Sequence, residues 1–262
     1  MSNPNTRPNP QQLPPPPRLD PARWALFLDL DGTLVELAAR PELIEVPEGL
    51  PQLLRSTADR HQGALAILSG RSRADLAAHF GLHGFPAATL HGLERCDAHG
   101  GMHRVADHRP LDGVRQQLSV RSVDYPGMWV EDKGGAIALH YRQRPDLGTA
   151  IGELGRELVE DRSDLRLQPG DFVVEIKPAG TDKGRALTAF LAEFPFIGRC
   201  PVMVGDDLTD EHAFAAAQAN GGFGVIVGSR RPTLARYALA SPTEVIDWLR
   251  ALHDSGNDKD QP

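Results

Sequence analysis

Two aspartates near the start of the chain are spaced so that they could carry out chemistry together. Asp29 and Asp31 directly follow the apolar run of residues 24–28, whose length and composition predict a buried strand. Because side chains alternate along a strand, both carboxylates should project from one face at its end. Two like charges so close repel each other unless a divalent cation compensates them. Mg²⁺ prefers oxygen ligands and therefore suits a carboxylate pair. One carboxylate could then attack phosphorus while the other moves protons, unless both residues only form a turn.

A second group of acidic residues follows the predicted strand at residues 201–204. Asp206, Asp207, Asp210 and Glu211 lie within six consecutive positions. Helix capping accounts for Asp210 and Glu211, which favour the first turn of a helix. It does not account for Asp206 and Asp207, which would complete a cage for a hard cation if the fold placed them beside the first aspartate pair.

Two further positions are candidates for binding an anion. Lys183 lies in the first turn of a predicted helix, where a cation opposes the helix dipole at a cost of roughly 0.3–1 kcal/mol. A bound anion would compensate for this cost, and a solvated lysine is the alternative. Ser69, Gly70 and Arg71 end a second apolar run, where a hydroxyl, turn amides and a guanidinium could hold a phosphoryl oxygen. An ordinary turn explains these three residues almost as well.

Composition and other motifs exclude several classes of function. The net charge is −7 and the 28 Lys and Arg residues are scattered, which argues against a nucleic-acid surface. No apolar run approaches the roughly 18 residues of a membrane span, the two cysteines lie far apart, and no signal segment is present. These features indicate a cytoplasmic protein without a membrane partner. Its oligomeric state stays open, with a monomer as one possibility. No GxxxxGK[ST] loop occurs, which argues against the usual nucleoside-triphosphate site. The spacings of His91, Cys96, His99 and His103 match no familiar zinc pattern.

The elements that must position these residues alternate between strand and helix. This alternation predicts an α/β fold whose core is a doubly wound, Rossmann-like parallel sheet, which binds ligands beyond the carboxyl ends of its strands. The predicted strands are 24–28, 64–68, 201–204 and 225–227. The predicted helices are 47–61, 72–80, 182–194, 211–219 and 243–252.

The alternation is interrupted in the middle of the chain. Two adjacent predicted strands at 128–130 and 136–141 lie between helices at 111–120 and 149–161, and a further strand follows at 172–176. This order predicts a smaller α+β cap domain, inserted into the core and lying over its strand ends. The predicted divisions are a disordered proline-rich tail at 1–21, a core at 22–98 and 180–253, the cap at 99–179, and a flexible tail at 254–262.

The acidic, hydroxyl and lysine positions also resemble a known family. In chain order, Asp29 with Asp31, then Ser69, Lys183, and Asp206 with Asp207 are similar to the four motifs of the haloacid dehalogenase superfamily. Within that superfamily the chain resembles the trehalose-6-phosphate phosphatases from about residue 24 to 250. The segments that carry this resemblance are 68–71, 91–92, 130–134, 140–142, 175–178, 182–184 and 205–211.

The resemblance implies a phosphoric monoester hydrolase with a covalent intermediate. Asp29 would be the nucleophile that becomes an aspartyl phosphate. Asp31 would be the acid that protonates the leaving sugar oxygen and then the base that activates water. Ser69 and Lys183 would hold the phosphoryl oxygens. The implied cofactor is Mg²⁺, bound by the Asp29 carboxylate, the Asp31 main-chain carbonyl and Asp206. Asp207 and Asp210 would complete the metal site by contacting these ligands rather than the ion.

The resemblance also implies a small sugar phosphate, trehalose 6-phosphate, as the partner. Glu131, Lys133 and Glu175 in the cap would bind sugar hydroxyls, and Gly70, Arg71 and His91 would complete the substrate site. Three alternatives remain: a phosphatase for another sugar phosphate such as sucrose phosphate or a glycosyl phosphoglycerate, a phosphomutase, or a sugar-phosphate sensor without turnover.

Overall fold

The computed structural model describes residues 13–38, 43–105, 109–170 and 172–253. Its strands are β1 (Trp24–Leu28), β2 (Leu65–Leu68), β3 (Ala87–Thr89), β4 (Glu94–Cys96), β5 (Met102–Arg104), β6 (Trp129–Asp132), β7 (Ile137–His140), β8 (Leu165–Gly170), β9 (Val173–Pro178), β10 (Cys200–Gly205), β11 (Phe223–Val227) and β12 (Tyr237–Leu239). Its helices are α1 (Leu50–Arg60), α2 (Arg73–Phe80), α3 (Leu111–Arg121), α4 (Gly148–Val159), α5 (Lys183–Leu191), α6 (Glu211–Ala219) and α7 (Pro242–Ala251). No helix in these ranges is both long enough and apolar enough to cross a membrane.

The larger sheet has eight strands in the order β12-β11-β10-β1-β2-β3-β4-β5. Pairing is parallel from β12 to β3 and antiparallel at β4 and β5. Side chains of β1 alternate between two hydrophobic clusters, with Leu26 and Leu28 on one face and Phe27 on the other. Helices α1, α2 and α7 cover the first face and α5 and α6 cover the second, because their apolar residues belong to those clusters. The predicted doubly wound α/β core is therefore confirmed.

The second sheet has four antiparallel strands in the order β6-β7-β9-β8. Helices α3 and α4 pack on one of its faces through a separate cluster that includes Leu118, Leu154 and Ile176. This α+β unit is inserted between two parts of the larger sheet, as the order of elements along the chain predicts. Its other face is turned toward the carboxyl ends of the parallel strands.

Five strands have no counterpart among the sequence-based predictions. Strands β3, β4, β5 and β12 are each three residues long. The fifth, β8, ends in Pro169 and Gly170, and these residue types are uncommon inside strands. Such short segments become strands through backbone pairing with neighbours that are distant in sequence. The cap boundary predicted at residue 99 falls inside the β4–β5 hairpin, so residues 102–104 pair with the larger sheet.

Residues 13–21 of the N-terminal segment pack on the core. The predicted disordered tail at 1–21 is therefore wrong for these residues, because Leu19 is buried in the first hydrophobic cluster and Leu13 packs against the second. The carbonyl of Pro14 accepts a hydrogen bond from the amide of Ala238 at 2.9 Å, and Arg199 donates to the carbonyl of Pro21 at 2.6 Å. Residues 1–12 and the predicted tail at 254–262 lie outside the described residues.

Candidate active site

The parallel register brings three chain segments to one edge of the larger sheet. Strand β1 lies between β10 and β2, with Leu28 opposite Val204 and Ile67. Asp29, Ser69 and the loop after Gly205 therefore emerge side by side. A cavity of about 460 Å³ opens between this edge and the second sheet. Its lining includes ten of the predicted site residues: Asp29, Asp31, Gly70, Arg71, His91, Glu131, Lys133, Lys183, Asp206 and Asp207.

Lys183 is buried among carboxylates at the floor of the cavity. Helix α5 begins at this residue, and Asp182 caps it by accepting a hydrogen bond from the amide of Arg185 at 2.8 Å. The Nζ atom of Lys183 lies 2.9 Å from Oδ1 of Asp29 and 2.7 Å from Oδ1 of Asp210. Burial disfavours the charged amine, but Asp210 and Asp29 outweigh it and raise the pKa of Lys183. The lysine therefore stays charged next to the candidate nucleophile.

Three carboxylates converge around this lysine. Oxygens of Asp29, Asp206 and Asp210 lie within 4.8 Å of one another. Burial and the nearby Asp210 raise the pKa of Asp206 to about 7, and burial raises the pKa of Asp29 despite Lys183. One ammonium cannot neutralise three carboxylates. The donor set therefore fits a divalent cation, and Asp29 and Asp206 offer the oxygens to hold it.

Asp210 and Asp207 of the second acidic group have structural partners. Asp210 is fully engaged, because its Oδ2 accepts hydrogen bonds from the amides of Asp206 and Asp207, each at 3.0 Å, while its Oδ1 faces Lys183. Asp207 lies against Arg230, with 2.9 Å between Oδ1 and Nη2. Asp207, which the family resemblance implied as a metal residue, is thus directed to an arginine, and Asp210 holds the loop that presents Asp206.

The turn after β1 depends on a glycine and a threonine. Gly32 has a φ of 76°, and a Cβ there would collide with the carboxylate of Asp206. The hydroxyl of Thr33 donates to Oδ1 of Asp206 at 3.2 Å. The residues that follow Asp31 therefore let the two acidic segments approach each other and fix the second one.

Asp31 is held in a forked ion pair with Arg71. Nε of Arg71 lies 2.7 Å from Oδ2, and Nη2 lies 2.7 Å from Oδ1. The guanidinium also lies over the ring of Phe80, 5.2 Å from its centre. Ser69 is buried, and its hydroxyl oxygen accepts a hydrogen bond from the amide of Arg71 at 3.1 Å. Ser69 is absent from the lining of the cavity within the described ranges, whereas its neighbour Gly70 lines it.

Glu175 of the second sheet reaches across to the larger sheet. Its Oε2 lies 2.8 Å from Nε2 of His91, and its Oε1 lies 3.0 Å from Nζ of Lys133. Burial opposes ionisation, but His91 and Lys133 outweigh it and hold the pKa of Glu175 well below its usual range. Gly70 has no room for a side chain, because a Cβ would collide with the His91 ring. Glu175 itself does not line the cavity, as far as the described residues show. It therefore acts on the cavity through the two residues that it holds.

The wall of the cavity also contains residues that the sequence analysis did not assign to the site. Trp129 and His140 stack with ring centres 4.5 Å apart, and Nε2 of His140 lies 2.8 Å from Oε2 of Glu131. Arg142 and Arg230 line the same cavity. For Trp129 the available signal was the strand period, because residues 129, 131 and 133 share one face of β6 and its continuation. For His140 and Arg142 it was the segment 140–142, which carries the family resemblance.

The fold and this site define a class of protein. A parallel sheet with carboxylates at adjacent strand ends, a buried lysine between them and an inserted α+β cap is the architecture of the haloacid dehalogenase superfamily. A phosphatase of that superfamily from Bacteroides thetaiotaomicron has the same fold, with a TM-score of 0.59 at 19% identity over 92% of this chain and 97% of the other.

Sequence comparison narrows this class to one family. Residues 27–243 match the family described as trehalose-phosphatase. The chain is 43% identical over 235 residues to the trehalose-6-phosphate phosphatase of Escherichia coli (strain K12), which covers 88% of this chain and 87% of that protein. It is 39% identical over 219 residues to a probable trehalose-phosphate phosphatase of Sinorhizobium fredii, covering 83% and 82%. The C-terminal domain of the C. albicans trehalose-6-phosphate phosphatase shares the fold, with a TM-score of 0.80 at 22% identity over 94% of this chain and 99% of that domain. The chain therefore belongs to the trehalose-phosphatase family and is a phosphoric monoester hydrolase.

Proposed function

We propose that this enzyme hydrolyses trehalose 6-phosphate to trehalose and phosphate through an aspartyl phosphate, with Mg²⁺ as its cofactor. The observation that carries the chemistry is the group of buried Asp29, half-buried Asp206 and buried Asp210 around Lys183 at the floor of a cavity. The substrate is suggested by the relative from Escherichia coli, whose name specifies trehalose 6-phosphate. The polar side chains that the second sheet adds to the cavity fit a ligand rich in hydroxyls.

In the first half of the reaction, Asp29 would attack the phosphorus of the bound substrate. A bond forms between a carboxylate oxygen of Asp29 and phosphorus, and the bond from phosphorus to the sugar oxygen breaks. Asp31, which carries the proton taken from water in the preceding turnover, gives it to that departing oxygen, so trehalose leaves as a neutral alcohol. Lys183 stays positively charged 2.9 Å from Asp29 and stabilises the charge on the transferring phosphoryl group.

In the second half, the same two residues would hydrolyse the aspartyl phosphate. Asp31, now ionised, takes a proton from a water molecule that attacks phosphorus, and the bond from Asp29 to phosphorus breaks. Free phosphate leaves and Asp29 returns as a carboxylate. When it is bound, Mg²⁺ supplies positive charge to the phosphoryl oxygens and orients the phosphate. The residues that would hold Mg²⁺ are Asp29, Asp206 and the main-chain carbonyl of Asp31.

Phosphate release from a panel of sugar phosphates tests the proposed substrate. We expect trehalose 6-phosphate to have the highest kcat/KM, above sucrose 6-phosphate and glucose 6-phosphate, and EDTA to abolish turnover reversibly. Asp29→Asn should remove activity and phosphoenzyme trapping while leaving the thermal unfolding curve intact. Asp247→Asn changes an exposed carboxylate on α7 and serves as the matched control. Wild-type turnover by Asp29→Asn would overturn the mechanism, and a higher kcat/KM for another sugar phosphate would overturn the substrate.

A further inference from the structure

Trp129 places a large apolar side chain on the wall of the cavity. It lies on β6, the edge strand of the second sheet, and it remains 39% exposed. An exposed indole face is apolar area that a ligand can remove from water. Here the side chain lines the cavity rather than the outer surface, so a ligand in the cavity can cover it.

The ring of Trp129 is held in place before any ligand arrives. Trp129 and His140 are register partners on β6 and β7, and their rings stack at 4.5 Å with 25° between the planes. The imidazole is itself fixed by Glu131, whose Oε2 lies 2.8 Å from Nε2. A rigid aromatic surface loses little conformational entropy when a ligand packs against it.

The direction of β6 determines which part of a ligand the ring can reach. Just beyond the far end of β6, Lys133 contacts Glu175, which in turn contacts His91 in the segment between β3 and β4. Gly135 lies so close to the same segment that a Cβ would collide with Leu93. Trp129 is four residues back along the extended chain from Lys133, a separation of roughly 13 Å. This is about the length of two linked sugar rings.

We propose that Trp129 packs against the second, unphosphorylated ring of a disaccharide phosphate and thereby selects disaccharide over monosaccharide phosphates. The carbon-bound hydrogens of a pyranose form an apolar face that suits an indole ring. Glu131, beside the ring, offers a carboxylate to the hydroxyls at the edge of the sugar. This assignment rests on the proposed function, because it takes the phosphate of the same ligand to lie at Asp29.

Substrates of three sizes test the assignment: trehalose 6-phosphate, glucose 6-phosphate and p-nitrophenyl phosphate. Trp129→Ala should lower kcat/KM for the disaccharide phosphate by roughly 10- to 100-fold. The same variant should leave kcat/KM for the two smaller substrates within about twofold. Trp129→Phe should retain most of the disaccharide activity, because it keeps an aromatic face. Val123→Ala is the matched control, because it shortens an exposed side chain of the inserted α+β unit that does not line the cavity.

Product binding supplies a readout that does not depend on turnover. Trehalose should quench the tryptophan fluorescence of the wild-type protein, and Trp129→Phe should lose this quenching although Trp24 and Trp248 remain. Failure of the wild-type protein to hydrolyse trehalose 6-phosphate would overturn the proposed function, and the assignment with it. Normal wild-type turnover, with equal losses on all three substrates or with no loss in Trp129→Ala, would overturn the assignment of Trp129 alone.

Discussion

Arg71 holds both carboxylate oxygens of Asp31, with Nε 2.7 Å from Oδ2 and Nη2 2.7 Å from Oδ1. The family resemblance implied that Arg71 belongs to the substrate site, and it does line the cavity. Its observed partner is nevertheless Asp31, the proposed acid and base. A planar fork fixes the carboxylate in rotation as well as in position. Arg71 therefore orients Asp31.

We expect Arg71→Lys to lower kcat more than it raises KM. Lysine keeps the positive charge but cannot form the fork, so Asp31 loses its fixed orientation. A misplaced catalytic group costs about 10²-fold in rate, and kcat should fall by roughly that factor. Steady-state kinetics on an aryl phosphate and on trehalose 6-phosphate measure the effect. Arg250→Lys, on the exposed face of α7, controls for the substitution itself. A change confined to KM would show that Arg71 binds substrate phosphate instead.

Lys183→Met should both inactivate and destabilise the protein. In the first turn of a helix the charge of Lys183 opposes the helix dipole, and on that ground alone its removal would leave stability unchanged or slightly improved. The structure reverses this expectation, because Lys183 separates the buried carboxylates of Asp29 and Asp210. Breaking a buried ion pair by removing one partner costs about 3–5 kcal/mol.

Urea unfolding in EDTA measures the loss in Lys183→Met, and added Mg²⁺ should restore part of it by neutralising the same carboxylates. Arg185→Met is the matched control, because this residue lies on the same helix with an exposed side chain. An unchanged free energy of unfolding in Lys183→Met would contradict the structural role of the lysine.

Lys177→Met should stabilise the protein at neutral pH. The side chain of Lys177 is 1% exposed, and its Nζ has no hydrogen-bond partner among the described residues. Burial lowers its pKa from 10.5 to about 7, against the attraction of Glu175. Below about pH 7 the folded protein must carry this buried charge, and the cost is fully present. Between about 7 and 10.5 the unfolded state binds more protons, so stability rises with pH.

The substitution should remove this slope and add roughly 2–5 kcal/mol at pH 7. Denaturant unfolding of the wild-type and variant proteins between pH 6 and about pH 10 measures the difference. Arg156→Met, an exposed change on α4, should leave the wild-type slope intact. Parallel stability curves for wild type and Lys177→Met would show that the buried amine does not titrate in this range.

Glu175→Gln should loosen the contact between the two sheets. Glu175 lies on β9 and contacts His91, in the segment between β3 and β4 of the larger sheet, as well as Lys133 of the inserted unit. Loss of its charge leaves Lys133 without its closest counter-ion, so the closed arrangement is less stable. We expect a larger radius of gyration by small-angle scattering without ligand, and a fall in kcat/KM of roughly tenfold or more. Glu157→Gln is the control, because the ion pair of Glu157 with Arg121 lies within the inserted unit. Identical scattering and kinetics for Glu175→Gln and wild type would exclude a role in closure.

Local patterns in the sequence were enough to predict the architecture and the position of most of the site. Apolar runs followed by Asp29, Ser69 and Asp206 predicted parallel strands whose ends meet, because the carboxyl ends of parallel strands share one edge of the sheet. The same patterns could not reveal three-residue strands such as β5. Those strands exist only through backbone pairing with neighbours whose identity depends on the complete fold.

Amino-acid order by itself therefore determined the α/β core, the inserted cap and the acids at the strand ends, since each depends on periodicity over a few consecutive residues. The tertiary structure alone decided which charges meet. It paired Arg71 with Asp31, buried Lys183 between Asp29 and Asp210, and directed Asp207 to Arg230. These pairings join residues up to 154 positions apart, as in Asp29 and Lys183, and their energies depend on burial. Neither the distance nor the burial is encoded in any local stretch of the chain.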